Sequence, residues 1–171
     1  TLLISPLLSL MRNQILNASN IGIKAESINS SNFNEWDEIT NRLQQKEIDI
    51  LLVSPERLSN QRFLQQILPS MGGIGLFVVD EVHCISDWGH DFRPDYRRIK
   101  NLIQQTFVDI PVIGTTATAN NRVVKDVEEQ FGEDCITHRG PLARSGLKFQ
   151  NIVLSSIAER LAWILDNIKN I

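Results

Sequence analysis

Cysteine is scarce in this chain of 171 residues, which contains only Cys84 and Cys135. The two lie far apart and lack the paired spacing of zinc ligands, so the sequence predicts two reduced thiols. Long apolar runs are also missing. No segment is long enough to span a bilayer, and the first residues lack the pattern of a signal peptide. We therefore expect no membrane partner and a cytoplasmic protein.

An excess of positive charge is absent as well. The chain has 17 Lys and Arg against 20 Asp and Glu, for a formal net charge of −3. This balance excludes a surface that is basic all over. It leaves room for a local basic groove, because binding to nucleic-acid phosphates needs only a few well-placed cations. The apolar fraction of 42% and the length are those of a globular domain with a sizeable core.

Short apolar runs alternate with segments of helical pattern. The strand candidates are LLIS, IKAESI, DILLVS, GLFVVDE, PVIGTTA and LKFQNIVL. The helix candidates are 6–17, 35–46, 61–68, 96–106, 122–131 and 157–168, the first with Ser5 as N-cap and Pro6 as first helical residue. This alternation predicts an α/β fold with a mostly parallel sheet and ligands at the carboxyl ends of its strands.

Two adjacent acids follow the fourth apolar run, in the stretch LFVVDE. A buried strand would deliver Asp80 and Glu81 to the carboxyl edge of the sheet. Two carboxylates there could hold Mg²⁺ and orient a water for attack on a phosphate. The alternative is a polar strand end that caps the next loop. The spacing alone does not choose between these interpretations.

Two Ser-Pro pairs, in SPLLSLM and SPERL, each join a strand to a helix. Ser5 and Ser54 could thereby offer a hydroxyl and backbone N–H groups to an anion such as a nucleic-acid phosphate. Plain helix capping explains either motif alone, but both occur on the same predicted edge as the acids.

The stretch GTTATA follows another strand and contains three hydroxyl groups, on Thr115, Thr116 and Thr118. These hydroxyls could hydrogen-bond the acids or a moving loop. The alternative is a local turn that caps the helix after Asn120.

The segment DEVHCISDWGHDFRPDY, residues 80–96, is crowded with reactive and aromatic side chains and has no amphipathic period. Its two His and one Cys lack a fourth ligand for zinc. Its aromatic and basic residues could stack on bases and pair with phosphates of a single strand, or could form a hydrophobic cluster under a loop. These residues are Trp88, Phe92, Arg93, Tyr96, Arg97 and Arg98.

Taken in order, the stretches SPLLSLMRNQ, LLVSPERL, VVDEVHCISDWGHDFRPDY and GTTATA resemble the first motor domain of RecQ-type DNA helicases. The continuous match from the DExH box into the aromatic segment is the specific part, and the resemblance covers roughly residues 2–131. It implies a RecA-like, P-loop NTPase type of α/β fold. It also implies that the full protein uses ATP and Mg²⁺ to move along single-stranded DNA and open duplex junctions.

The same resemblance implies roles for individual residues. Asp80 would coordinate Mg²⁺ on ATP, Glu81 would activate the attacking water, and His83 would couple the nucleotide site to the aromatic segment. Thr116 and Thr118 would relay between the two sites. The residues implied in DNA binding are Ser5, Pro6, Gln14, Ser54, Pro55, Trp88, Phe92, Arg93 and Tyr96.

The chain departs from the family pattern at both ends. It has no G-x-x-x-x-G-K-[ST] motif, so we expect the phosphate loop upstream of Thr1 and interpret the chain as a piece that alone hydrolyses little ATP. We expect residues 1–140 to form the first motor domain, and 141–171 the linker and start of a second. The alternatives are a DExH RNA helicase and a nucleic-acid-binding module without turnover.

Overall fold

The structure is a computed structural model that describes residues 1–86, 93–106, 109–132, 134–140, 146 and 150–168. The chain divides into two compact units, Thr1–His138 and Arg139–Ile171, which are described separately.

A five-stranded parallel sheet forms the centre of the first unit. Its strands are β1 Leu2–Ile4, β2 Ala25–Ile28, β3 Ile50–Val53, β4 Phe77–Val79 and β5 Val112–Gly114. They lie in the order β2-β3-β1-β4-β5, and every pairing is parallel. Parallel strands are covered on both faces, which explains why the sequence shows continuous apolar runs here. The predicted α/β, RecA-like fold is confirmed.

Helices lie between these strands in the sequence and after the last of them. The α-helices are α1 Leu8–Asn20, α2 Trp36–Gln44, α3 Leu68–Ser70, α4 Arg97–Asn101, α5 Asn121–Phe131 and α6 Ile157–Asn167. Short 3₁₀ turns cover Ser30–Glu35, Pro55–Ser59, Val82–Ile85 and Pro94–Tyr96, and π-helical turns cover Phe63–Ile67 and Leu102–Thr106. No helix in the described parts of the chain is long and apolar enough to cross a membrane.

The predicted start of the first helix is wrong. The helix begins at Leu8, and its N-cap is Leu7 in an extended conformation with no side-chain cap. Ser5 instead prolongs the sheet, because its N–H donates a hydrogen bond of 3.1 Å to the carbonyl of Val53. A backbone hydrogen bond of the sheet therefore overrides the local preference of Ser-Pro for a helix start.

The core forms between the sheet and the segments that pack on it. Leu2, Ile4 and Phe77 are fully buried, as is Trp36 at the start of α2. The buried side chains of α2 are Trp36, Ile39 and Leu43. This spacing is the helical period predicted for the segment, so the same apolar face packs against the sheet.

The second unit contains α6, whose start is held by a capping box. The Ser156 hydroxyl accepts from the N–H of Glu159 (3.2 Å), and the Glu159 carboxylate accepts from the N–H of Ser156 (3.3 Å). The stretch LKFQNIVL was predicted as a strand. Its residues 150–154 are not a strand, and its residues 147–149 lie outside the described part of the chain.

Candidate functional site

Strand β4 brings the acid pair to the carboxyl edge of the sheet. The N–H of Asp80 still pairs with β1, donating to the carbonyl of Ile4 at 2.8 Å. At Glu81 the backbone turns into the left-handed region, with φ 50° and ψ 46°. This conformation costs a residue with a side chain about 1–2 kcal/mol, so the surrounding contacts must impose it. Backbone strain of this kind is typical of functional sites.

The Asp80 carboxylate is held by three hydrogen bonds. Its Oδ1 accepts from the N–H of Glu81 (2.9 Å) and from the hydroxyl of Thr115 (2.8 Å). Its Oδ2 accepts from Nε2 of Gln14 at 3.0 Å. These bonds fix the orientation of the carboxylate, and each oxygen has two lone pairs, so Oδ2 can accept a further ligand. Oxygen ligands suit Mg²⁺, so this remaining lone pair on Oδ2 has the chemistry of a magnesium ligand.

A second set of contacts joins Glu81 to the loop after β5. The buried imidazole of His83 has its Nδ1 3.2 Å from Oε2 of Glu81 and 2.8 Å from the hydroxyl of Thr116. The N–H of Thr118 in turn donates to the Thr116 hydroxyl at 3.2 Å. One imidazole therefore contacts both the acid that we expect to act on water and the threonine-rich loop.

The prediction that the threonine hydroxyls hydrogen-bond the acids is confirmed at Thr115. The alternative, a threonine turn that caps the next helix, is confirmed only in part: the Thr116 hydroxyl accepts from the N–H of Thr118 in a local turn, but Asn120 itself caps α5. The side chain of Asn120 accepts hydrogen bonds from the N–H groups of Arg122 and Val123.

Tyr96 lies in the core. Its ring is fully buried, its hydroxyl donates to the carbonyl of Asp80 at 2.9 Å, and burial raises its pKa. In this arrangement the ring supports the turn that carries the acids and is not accessible to a base. The DNA contact that we predicted for Tyr96 stays a prediction, without support from this position.

Arg93 connects the end of the aromatic segment to two other elements. Its N–H donates to the carbonyl of Cys84 at 3.0 Å, and its Nη1 donates to the carbonyl of Pro6 at 3.2 Å. Trp88 and Phe92, which precede it, lie outside the described residues.

The two Ser-Pro pairs lie side by side at the ends of β1 and β3. Both serine side chains are buried: Ser54 donates to Oε1 of Glu56 at 2.7 Å, and the Ser5 hydroxyl has no hydrogen-bond partner among the described residues. Pro55 is buried and Pro6 is half-buried. The serine hydroxyls therefore point away from solvent, and a phosphate here would have to be contacted through the backbone.

Sequence reasoning missed two pairings at this edge. One is the contact of Gln14 with Asp80, across 66 positions of the chain, and the other joins Ser86 to Asp126, across 40 positions. Amide and acid side chains on amphipathic helices look like solvated surface, so the sequence carries no signal for either contact. Within the described ranges, no group of three or more His, Cys, Asp or Glu side chains could hold a metal ion by itself.

Comparison with known protein families shows which kind of domain carries this edge of the sheet. The family model for DEAD/DEAH box helicases matches residues 1–127. The chain belongs to this family. The match contains the whole sheet, the acid pair and the threonine-rich loop.

Individual proteins that are similar to this chain indicate the subgroup of helicases. The ATP-dependent DNA helicase RecQ of Haemophilus influenzae is 39% identical over 128 residues, which are 74% of this chain and 20% of that protein. The ATP-dependent DNA helicase Q1 of Rattus norvegicus is 34% identical and covers 100% of this chain and 28% of its own length. The ATP-dependent DNA helicase Q-like 4B of Arabidopsis thaliana is 38% identical, over 86% of this chain and 13% of its own length.

These relatives confirm the predicted resemblance to RecQ-type helicases. The chain spans less than a third of the length of each of the three. What the comparisons show is thus a RecQ-like DEAD/DEAH box helicase domain, with the nucleotide use that the family implies.

Proposed function

We propose that the full-length protein is an ATP-dependent DNA helicase, which couples ATP hydrolysis to translocation on single-stranded DNA and to separation of duplex junctions. The observation that carries the proposal is the contact network at the carboxyl edge. Asp80 is oriented for a metal-bound phosphate, and Glu81 is joined through His83 to the loop of Thr116. Family membership supports the same conclusion.

On the nucleotide side, the chain offers one carboxylate to the metal and one to the water. When bound with ATP, Mg²⁺ supplies positive charge at the phosphates undergoing transfer. Asp80 would hold it through Oδ2, the oxygen that accepts a single hydrogen bond, from Gln14. Glu81 would orient the attacking water and accept its proton. The contact with His83 limits where the Glu81 carboxylate can point.

On the nucleic-acid side, we assign contacts to the backbone of the two Ser-Pro turns and to the aromatic segment before Arg93. The turns follow β1, which neighbours β4, and β3, the next strand along, so both lie at the same edge of the sheet as Asp80. Arg93 joins the two regions, because its Nη1 donates to the carbonyl of Pro6. A strand bound there could displace Arg93 and, through the backbone bond to Cys84, the turn that carries His83.

We also assign residues 1–140 to the first motor domain, and 141–171 to the linker and start of a second motor domain in the same polypeptide. The protein would be cytoplasmic and associated with the nucleoid in a bacterium, or located in the nucleus of a eukaryote.

The test is ATP hydrolysis by the full-length protein with Mg²⁺, without nucleic acid, with single-stranded DNA, and with RNA of the same sequence. We expect stimulation by DNA and strand separation of a duplex with a single-stranded end. Equal stimulation by RNA would instead favour a DExH RNA helicase. Tight binding with no hydrolysis would favour a binding module.

The variant Glu81→Gln sharpens this test. It keeps the shape of the side chain but removes the carboxylate that accepts a proton, so hydrolysis should nearly vanish while ATP binding persists. Hydrolysis near the wild-type rate would make Glu81 a structural residue.

A further inference from the structure

We propose that Asp126 is a positioning residue: by binding Ser86, it holds the imidazole of His83 at hydrogen-bonding distance from Thr116. This inference rests on the proposed function, because the contact matters for hydrolysis only if His83 connects Glu81 to the threonine-rich loop. Asp126 lies on α5, outside every motif that the sequence singled out.

The first contact joins α5 to the turn that carries His83. The Ser86 hydroxyl donates to Oδ2 of Asp126 at 2.5 Å. Ser86 is only 1% exposed and Asp126 is half-buried, so this bond is partly shielded from water, and a charge-assisted hydrogen bond is stronger there than at the surface. The N–H of Ser86 donates to the carbonyl of His83 at 3.2 Å. A displacement of Ser86 would therefore move the backbone of His83.

The second connection runs from Asp126 back along the chain. Helix α5 begins at its cap, Asn120, shortly after Thr118, and the N–H of Thr118 donates to the Thr116 hydroxyl. That hydroxyl lies 2.8 Å from Nδ1 of His83. The path from His83 through Thr116, α5 and Ser86 thus returns to His83 and forms a closed ring.

Closure of this ring fixes two elements relative to each other at two points. One point is the bond between His83 and Thr116, and the other is the bond between Ser86 and Asp126. The start of the turn is anchored as well, because the N–H of Val82 donates to the carbonyl of Thr115 at 2.9 Å, and the bond to Asp126 fixes its far end. With both, the imidazole is held at a set distance from the loop and from Glu81.

Apolar contacts already dock α5, so the carboxylate is not needed for that purpose. Val123 is buried, and the ring of Phe131 packs so closely on Gly114 of β5 that an added Cβ would lie 2.9 Å from it. The bond from Ser86 to Asp126 adds direction to this packing. Its function is therefore to orient the turn of His83.

The experiment uses the full-length protein and the variants Asp126→Ala and Asp126→Asn. A misplacement of about 1 Å can lower a catalytic rate by up to 100-fold, so we expect Asp126→Ala to lower kcat at saturating single-stranded DNA by at least about tenfold. The KM for ATP should change by less than about twofold, because no interaction with bound nucleotide is removed. Asp126→Asn should restore most of the rate, since its amide oxygen can accept the same hydrogen bond.

Glu129→Ala is the matched control, because Glu129 is an exposed carboxylate on the same helix, one turn of helix from Asp126, and makes none of the hydrogen bonds given above for the described part of the turn. Its kcat should equal that of the wild type. In a double-mutant cycle, His83→Ala should make the loss caused by Asp126→Ala largely disappear. Additive losses, or an unchanged kcat in Asp126→Ala, would overturn the proposal.

A readout independent of hydrolysis separates this inference from the proposed function. In protein labelled with ¹³C-histidine, the ring signal of His83 is identified by its loss in His83→Gln. Asp126→Ala and Ser86→Ala should shift that signal, whereas Glu129→Ala should leave it in place. An unmoved signal in Asp126→Ala would refute the positioning role, even if the protein proves not to be a helicase.

Discussion

Tyr96→Phe tests whether the phenol belongs to the core or to a DNA-binding surface. The substitution keeps the fully buried ring and removes only the hydroxyl, which donates to the carbonyl of Asp80 at 2.9 Å. Loss of one buried hydrogen bond, with some penalty for the acceptor left behind, should lower the free energy of unfolding by about 1–2 kcal/mol. In a domain of this size, each kcal/mol corresponds to about 2–4 °C in Tm.

Thermal unfolding of the full-length protein and its variant provides the measurement, with the affinity for single-stranded DNA measured in parallel. The affinity should not change. Ser59→Ala is a matched control, because its hydroxyl also donates to a carbonyl, that of Glu56, but in solvent. Its effect should stay within about 0.5 kcal/mol. If Tyr96→Phe were equally harmless, the hydroxyl would be exposed and the burial of Tyr96 would be wrong.

Three other predictions test the stability, nucleotide-binding and DNA-binding roles given above. Burial raises the pKa of Tyr96, so its contribution to stability is complete below about pH 10 and is lost as the pH rises further. When the free energy of unfolding is measured at alkaline pH, it should therefore depend less on pH in Tyr96→Phe than in the wild type. Gln14→Ala should weaken Mg²⁺-dependent ATP binding by about 10–100-fold, because Gln14 orients Asp80. Titration calorimetry with ATP and Mg²⁺ measures this affinity, and Asn13→Ala, at an exposed position of the same helix, is the control. Normal affinity for ATP together with lost affinity for DNA would contradict the prediction. Trp88→Ala should abolish stimulation of hydrolysis by single-stranded DNA while costing only about 1–3 kcal/mol in strand affinity; equal fold-stimulation would refute this.

The order of the elements could be read from the chain because strands inside a parallel sheet are largely buried and are therefore written as continuous apolar runs. LFVVDE is an example. Its apolar part forms β4, fully buried at Phe77 and Val79, and Asp80 follows directly at the carboxyl edge. The family resemblance could also be found from the sequence alone, because it rests on the identity of consecutive residues and not on their positions in space.

The starts and ends of elements were less predictable. Ser5 and Pro6 have the local preferences of a helix start, yet the helix begins at Leu8. The bond from the Ser5 N–H to Val53 decides this, and Val53 lies 48 positions away in the chain. Local propensity is a weak preference, and a hydrogen bond in a buried sheet outweighs it.

The side-chain contacts within the site were decided by tertiary structure alone. Tyr96 has the composition of a stacking residue but lies in the core, and Asp126 resembles a surface charge but binds Ser86. Gln14 reaches Asp80 only because the fold brings its position on α1 next to the residue that follows β4. Hydrogen bonds between side chains depend on distance in space, and distances across 40 or 66 positions are set by how the helices dock on the sheet.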